Sequence, residues 1–220
     1  MRDAFHEELD AITASLVEMG ELVSLAMREG TTALLTVDLK LAEKVIADDD
    51  RIDDMQHELE ANAIGIMARQ QPVAQDLRTL VTSLRMSADL ERMGDFGHHI
   101  AKIARMRYPA AAVPAELTAT IQSMGDVAGK IIDKATHVIK TQDLKAAVEL
   151  EVDDDEMDRL HRQLFTILLD DSWSHGIETA IDMTLLGRYY ERCADHAVST
   201  ARRVYFLVKG EYASEQKPTA

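Results

Sequence analysis

The sequence predicts an all-α protein made of two tandem antiparallel three-helix bundles related by internal duplication. Its composition is the first reason: aromatic residues are 5% of the 220 positions, methionine reaches 11, and glycine and proline number only 10 and 4. A chain so poor in turn formers and in β-favouring aromatics makes long helices rather than many short strands. The second reason is that apolar residues recur at steps of three and four over long stretches. The third is that short motifs return at a fixed distance. Met19-Gly20 recurs as Met124-Gly125, Asp38-Leu39 as Asp143-Leu144, and Asp48-Asp49-Asp50 as Asp153-Asp154-Asp155, each 105 residues on.

The first helix is expected from about Asp3 to Glu29, with Leu9, Ile12, Leu16, Met19, Val23 and Met27 as its apolar stripe. Gly30-Thr31-Thr32 weakens it, and Ala33 to Leu35 extend it by a turn. Asp38 is the expected N-cap of a second helix, striped by Leu41, Val45, Ile52, Met55, Leu59 and Ile66. Gln71-Pro72 ends it, because proline cannot continue the hydrogen-bond ladder. A third helix runs to about Arg107 with Leu77, Val81, Leu84 and Ala88 as its stripe, and the same steps land on Glu91 and Asp95. The carboxylates are thus expected to continue the apolar face.

Tyr108 to Pro114 reads as a linker. After it the pattern restarts: a fourth helix marked by Leu117, Ile121, Met124, Ala128, Ile131, Ala135 and Val138, a fifth from Leu144 to about Leu169, and a sixth from Ile177 to about Val208. The expected units are residues 1–108, residues 115–210 and a flexible tail, 211–220. Near the end the repeat distance falls to 100, so the second copy is expected to have lost about five residues, most simply from the connection before its last helix.

The net charge of −15 and pI near 4.9 argue against nucleic acid and anionic membrane surfaces as partners. A single cysteine, Cys193, rules out an internal disulfide. The N-terminus is too acidic for a signal peptide, and no apolar run is long enough to span a bilayer. A cytoplasmic protein without membrane insertion is the expectation.

The chemistry lies in paired carboxylates. Glu91 and Asp95 stand four apart, as do Glu191 and Asp195, 100 residues later; that spacing stacks two carboxylates on one helix face. Asp49 and Asp53 on the second helix, and Asp154 and Asp158 on the fifth, repeat the device. The first two pairs are expected to face each other, and so are the last two. Four clustered carboxylates repel and raise one another's pKa. A hard cation bridging the oxygens removes that cost, which points to Mg, Mn, Fe or Zn. His196 offers a nitrogen ligand beside Asp195, where the first repeat has Phe96. His98 and His99 read as surface or boundary residues instead. The plain alternative is a solvated acidic face neutralised by Arg51, Arg92, Arg159 and Arg192.

Enzyme signatures are mostly missing: no Gly-rich phosphate loop, no His-Glu-x-x-His and no nucleophile elbow. A ferritin-like di-iron oxidase needs Glu-x-x-His on two helices. The nearest substitute, Asp158 to His161, has no histidine in its first-repeat counterpart, Asp53 to Gln56. That enzyme, or a helical scaffold, is the competing reading.

FHEELDAITASLVEMG near the start, QPVAQDLR from Gln71, ADLERMGD from Ala88 and YYERCADHA from Tyr189 together make the chain resemble the PhoU family of phosphate-signalling regulators. The resemblance spans nearly the whole chain. It implies two three-helix bundles and a non-enzymatic, cytoplasmic negative regulator. Such a regulator links a phosphate ABC transporter ATPase to a sensor histidine kinase of two-component signalling by protein contact, often as a homodimer. It also implies metal binding at Asp49 with Asp53, Glu91 with Asp95, Asp154 with Asp158, and Glu191 with Asp195. Two departures are visible: His99 and Ser199 stand where family members commonly carry asparagine, and Phe96 where histidine is frequent.

Overall fold

The structure, a computed structural model, describes residues 2–211, with side chains from Phe5 onward. Among them are six α-helices and no strand: α1 Arg2–Thr36, α2 Leu39–Gln70, α3 Ala74–Arg107, α4 Thr118–Thr141, α5 Leu144–Leu168 and α6 Gly176–Lys209, with a 3-10 turn at Ala115–Leu117 before α4. The all-α expectation holds. The expected flexible tail lies, from residue 212, outside the described residues.

Helix ends follow local chemistry. The Asp38 side chain accepts from the Leu41 N–H, and its repeat partner Asp143 accepts from Lys145 and Ala146, each satisfying free donors of a first turn. Gly30-Thr31-Thr32 does not interrupt α1: Thr31 and Thr32 return their hydroxyls to the carbonyls of Met27 and Arg28, four residues back. The Tyr108 to Pro114 linker contains a cis Tyr108-Pro109 bond, and its Ala112 and Val113 are buried.

Each repeat is an up-down-up bundle, α1-α2-α3 and α4-α5-α6, and the two meet through α1 against α4 and α3 against α6. Buried side chains from all six helices form one continuous core. Both cross-repeat pairs are antiparallel: Gly20 meets Thr136 while Thr31 meets Gly125, and Asp89 binds Arg203 while Arg107 binds Asp182. The stripes expected for α1 and α4 are the buried ones.

Duplication is visible in the packing. Gly125 lies so close to Thr31 that a Cβ there would sit 2.6 Å from the threonine Cγ2, and Gly20 lies against Thr136 in the same way. These two contacts exchange under the 105-residue shift, so they form the near-symmetric centre of the α1–α4 crossing. Charge is less conserved than position. Lys44 binds Glu29 at 2.6 Å in the first repeat, whereas the matching places hold Glu149 and Lys134, 3.3 Å apart with the signs exchanged.

Two expectations need correction. Leu77 and Val81 are partly exposed, and the core face of α3 is instead Leu80, Ser83, Ser87, Leu90, Gly94, Gly97 and Ala101. Glu91 and Asp95 therefore continue a half-exposed face beside the core, not the core stripe. The shortening in the second repeat is also not in the connection. Seven residues, 169–175, join α5 to α6, against three, 71–73, between α2 and α3. The loss comes from α5, which has 25 residues against 32 in α2.

Candidate functional site

The acidic pairs sit in two grooves, between α2 and α3 and between α5 and α6. Asp49 is buried on α2, where it occupies a place on the apolar stripe between Val45 and Ile52. Its carboxylate meets Nδ1 of His98 from α3, and Gly94 on α3 lets Ile52, one turn along α2, pack closely, since a Cβ there would lie 3.0 Å from Ile52 Cδ1. Asp53 stands one turn beyond Asp49 on α2. Burial raises its pKa, and the nearby Asp49 and Asp95 raise it further. Burial likewise raises Glu91, with Asp95 adding to the shift and Arg92 opposing it. Asp53 and Glu91 thus each feel carboxylates of the facing helix across the groove.

The second quartet repeats the arrangement. Asp154 is pushed up to about 6, by burial first and then by Asp195, Asp158 and Glu191. Asp158 and Asp195 are exposed. Glu191 is held by both carboxylate oxygens to Arg188, at 2.7 and 2.9 Å. Of the arginines expected to neutralise the acids, only Arg92 reaches a quartet residue across a usable distance, 3.3 Å to Asp95. Arg51 turns to Glu18 and Arg159 to Glu156, while Arg192 lies 3.5 Å from His196.

His196 is not beside the second quartet as a nitrogen donor. It points across the repeat boundary, with Nδ1 3.1 Å from Asp89, whose other oxygen accepts from Arg203 at 2.6 Å. Burial alone would raise the Asp89 pKa, but His196 and Arg203 outweigh it and hold the carboxyl low. At the other end of the α3–α6 crossing, Arg107 binds the buried Asp182 at 2.5 Å and also Glu178. Sequence reasoning missed both networks. The signal available was an aspartate in an otherwise apolar register, Asp182 within Ile181 to Leu186. His98, expected at a surface or boundary, lies at the boundary with its ring against Asp49, and its Nε2 has no partner among the described residues. His161 packs its ring 4.9 Å from Phe165 on α5.

A family model for the PhoU domain matches residues 16–104 and again 121–204. The chain belongs to the PhoU family. It is 45% identical to a phosphate-specific transport system accessory protein, PhoU homolog 2, of Mycobacterium bovis, over 96% of this chain and all of that one. Its identity to PhoU homolog 1 of Mycobacterium leprae is 43%, over 98% and 97% of the two chains. The crystal structure of PhoU from Pseudomonas aeruginosa superposes with a TM-score of 0.83 at 28% identity, covering 94% of this chain and all of that one. A Streptococcus pneumoniae PhoU structure, at 24% identity and the same TM-score, shares the fold.

In this PhoU chain, no three His, Cys, Asp or Glu side chains among the described residues converge as a metal site in their present rotamers. The donor chemistry nonetheless fits a hard cation. Each groove holds four carboxylates, of which Asp53, Glu91 and Asp154 have pKa values raised by burial first and by neighbouring carboxylates second, and most of them are half-exposed side chains with room to turn. No helix among the described residues is long and apolar enough to cross a membrane.

Proposed function

We propose that this protein is a non-enzymatic negative regulator of phosphate uptake and phosphate-starvation signalling. It works in the cytoplasm, as a homodimer, by contact with a phosphate ABC transporter ATPase and a sensor histidine kinase. The observation that carries this reading is the full-length match to PhoU relatives named as accessory proteins of phosphate-specific transport systems. Cys193, the one cysteine, is buried and burial raises its thiol pKa, which favours action by contact over thiol chemistry.

The quartets Asp49, Asp53, Glu91, Asp95 and Asp154, Asp158, Glu191, Asp195 hold divalent or transition metal ions in this reading. A bound cation there supplies positive charge that relieves carboxylate repulsion and ties two helices of a repeat together. His98 orients Asp49, and Arg188 orients Glu191.

Elemental analysis of protein purified without chelator tests the metal, and Glu91→Ala with Asp95→Ala is expected to lower its content by about one site. Metal-free protein that gains no thermal stability from Mg, Mn, Fe or Zn would remove this part of the proposal. Co-purification of tagged protein with the transporter ATPase and the histidine kinase tests the contact role separately.

A further inference from the structure

The shortening of α5 has a structural consequence at the start of α6. In the first repeat the last turns of α2 place Ile66 and Met67 against the core. The second repeat lacks seven residues of that helix, about two turns or roughly 10 Å. The duplication provides an internal control for what this uncovers. Leu77 and Val81 on α3 are 40% and 37% exposed, while their counterparts 100 residues on, Ile177 and Ile181, are 80% and 53% exposed.

A groove of about 550 Å³ results, lined chiefly by Leu168, Trp173, Ile177, Ile181, Thr184 and Leu185. Trp173 forms its wall, fixed by an indole N–H donated to the Gly176 carbonyl at 3.0 Å and by its ring against His175. Ile177, Ile181 and Leu185 follow one another at steps of four, so they form one apolar ridge, inclined to the helix axis, of the kind a helix presents to a helix. Beside Leu168 and Trp173 the connection carries the exposed carboxylates Asp170 and Asp171, while Glu178 on α6 is already paired with Arg107.

We propose that this groove docks a short amphipathic helix of a partner protein, with apolar residues on one face and lysine or arginine along its flanks. Two turns of helix replace the two turns that α5 lacks, and the basic flanks meet Asp170 and Asp171. The inference rests on the reading that the protein acts by contact, and it is independent of metal.

The test uses the full chain and a fluorescein-labelled peptide of leucine and lysine, with leucines at i, i+4 and i+8 and lysines elsewhere, read by anisotropy. The wild type is expected to bind it, with affinity falling as salt rises. Ile181→Asp is expected to bind at least tenfold more weakly, and Val81→Asp, the matching change in the first repeat, unchanged. Ile181→Ser serves as a milder second variant, and far-UV melting checks that each remains folded.

Absence of binding to wild type, equal binding by the Ile181 variants, or equal binding of a peptide with glutamate in place of lysine overturns the proposal. So does dissociation of a dimer by Ile181→Asp, which assigns the groove to a second copy. Tighter peptide binding by a chain ended after Glu211 overturns it too, by assigning the groove to the protein's own terminus. If Ile181→Asp still captures the transporter ATPase or the kinase undiminished, the groove is excluded while the contact role stands.

Discussion

The hydroxyl of Tyr190 on α6 lies 2.8 Å from Oγ1 of Thr31 on α1, so a fully buried hydrogen bond joins the second repeat to the first. Its direction follows from its neighbour. Thr31 already donates its proton to the Met27 carbonyl, so the tyrosine donates and the threonine accepts. Burial pushes the phenol pKa up, which keeps that donor in place at any ordinary pH.

Tyr190→Phe is expected to cost roughly 1 kcal/mol, the value of one neutral hydrogen bond whose acceptor keeps another role. Tyr190→Ala removes the ring as well and is expected to cost about 3–5 kcal/mol. Urea unfolding of the two variants separates the terms.

At the α1–α4 centre, Gly125→Ala places a Cβ against the buried Thr31, and Gly20→Ala does the same to Thr136. Each is expected to destabilise by about 1–3 kcal/mol through overpacking. Pairing Gly20→Ala with Thr136→Ala removes the atoms in conflict, so thermal melts should show the double variant more stable than Gly20→Ala alone.

The Asp89 network predicts acid sensitivity. Its folded pKa is depressed by His196 and Arg203, so its stabilisation is present above the ordinary aspartate value and is lost as pH falls through the folded one. Asp89→Ala leaves Arg203 without its partner beneath the α3–α6 crossing and is expected to cost about 3 kcal/mol at pH 7. The difference from wild type should shrink below pH 4, measured by denaturant titration.

Asp154 predicts the opposite slope. Its folded pKa of about 6 exceeds the ordinary 3.8, so the folded state binds the proton more tightly. Its contribution to stability is full below about pH 4 and is lost as pH rises through 6. In metal-free protein Asp154→Asn is therefore expected to be more stable than wild type at pH 7, by about 1 kcal/mol once solvent screening is allowed for. That advantage should vanish near pH 4.

Much of this site was legible in the sequence. Asp49 on a stripe of Val45 and Ile52, and four acidic pairs at helical spacing, were enough to place the carboxylates opposite each other. The reading failed on α3, and for a definable reason. This helix touches α1, α2 and α6, so it is buried on several faces, and its tightest face is made of Ser83, Ser87, Gly94 and Gly97. Large apolar residues then cease to mark the core, because close approach of backbones selects small ones. His196 failed for a related reason: its neighbour in sequence is Asp195, but a helix sends adjacent side chains about 100° apart, and its real partner, Asp89, comes from the other repeat.

The sequence by itself determined the six helices, the cap at Asp38, the duplication and the carboxylate pairs within each helix, because these depend on spacing within one helix or on comparison of the chain with itself. Only the tertiary structure decided how the repeats join: Gly20 against Thr136, Gly125 against Thr31, Tyr190 on Thr31, and Asp89 between His196 and Arg203. It also decided that α5 stops early and leaves Ile177 and Ile181 uncovered. Those outcomes depend on which faces of distant helices meet, and that is settled by packing across the whole core, where no local period records it.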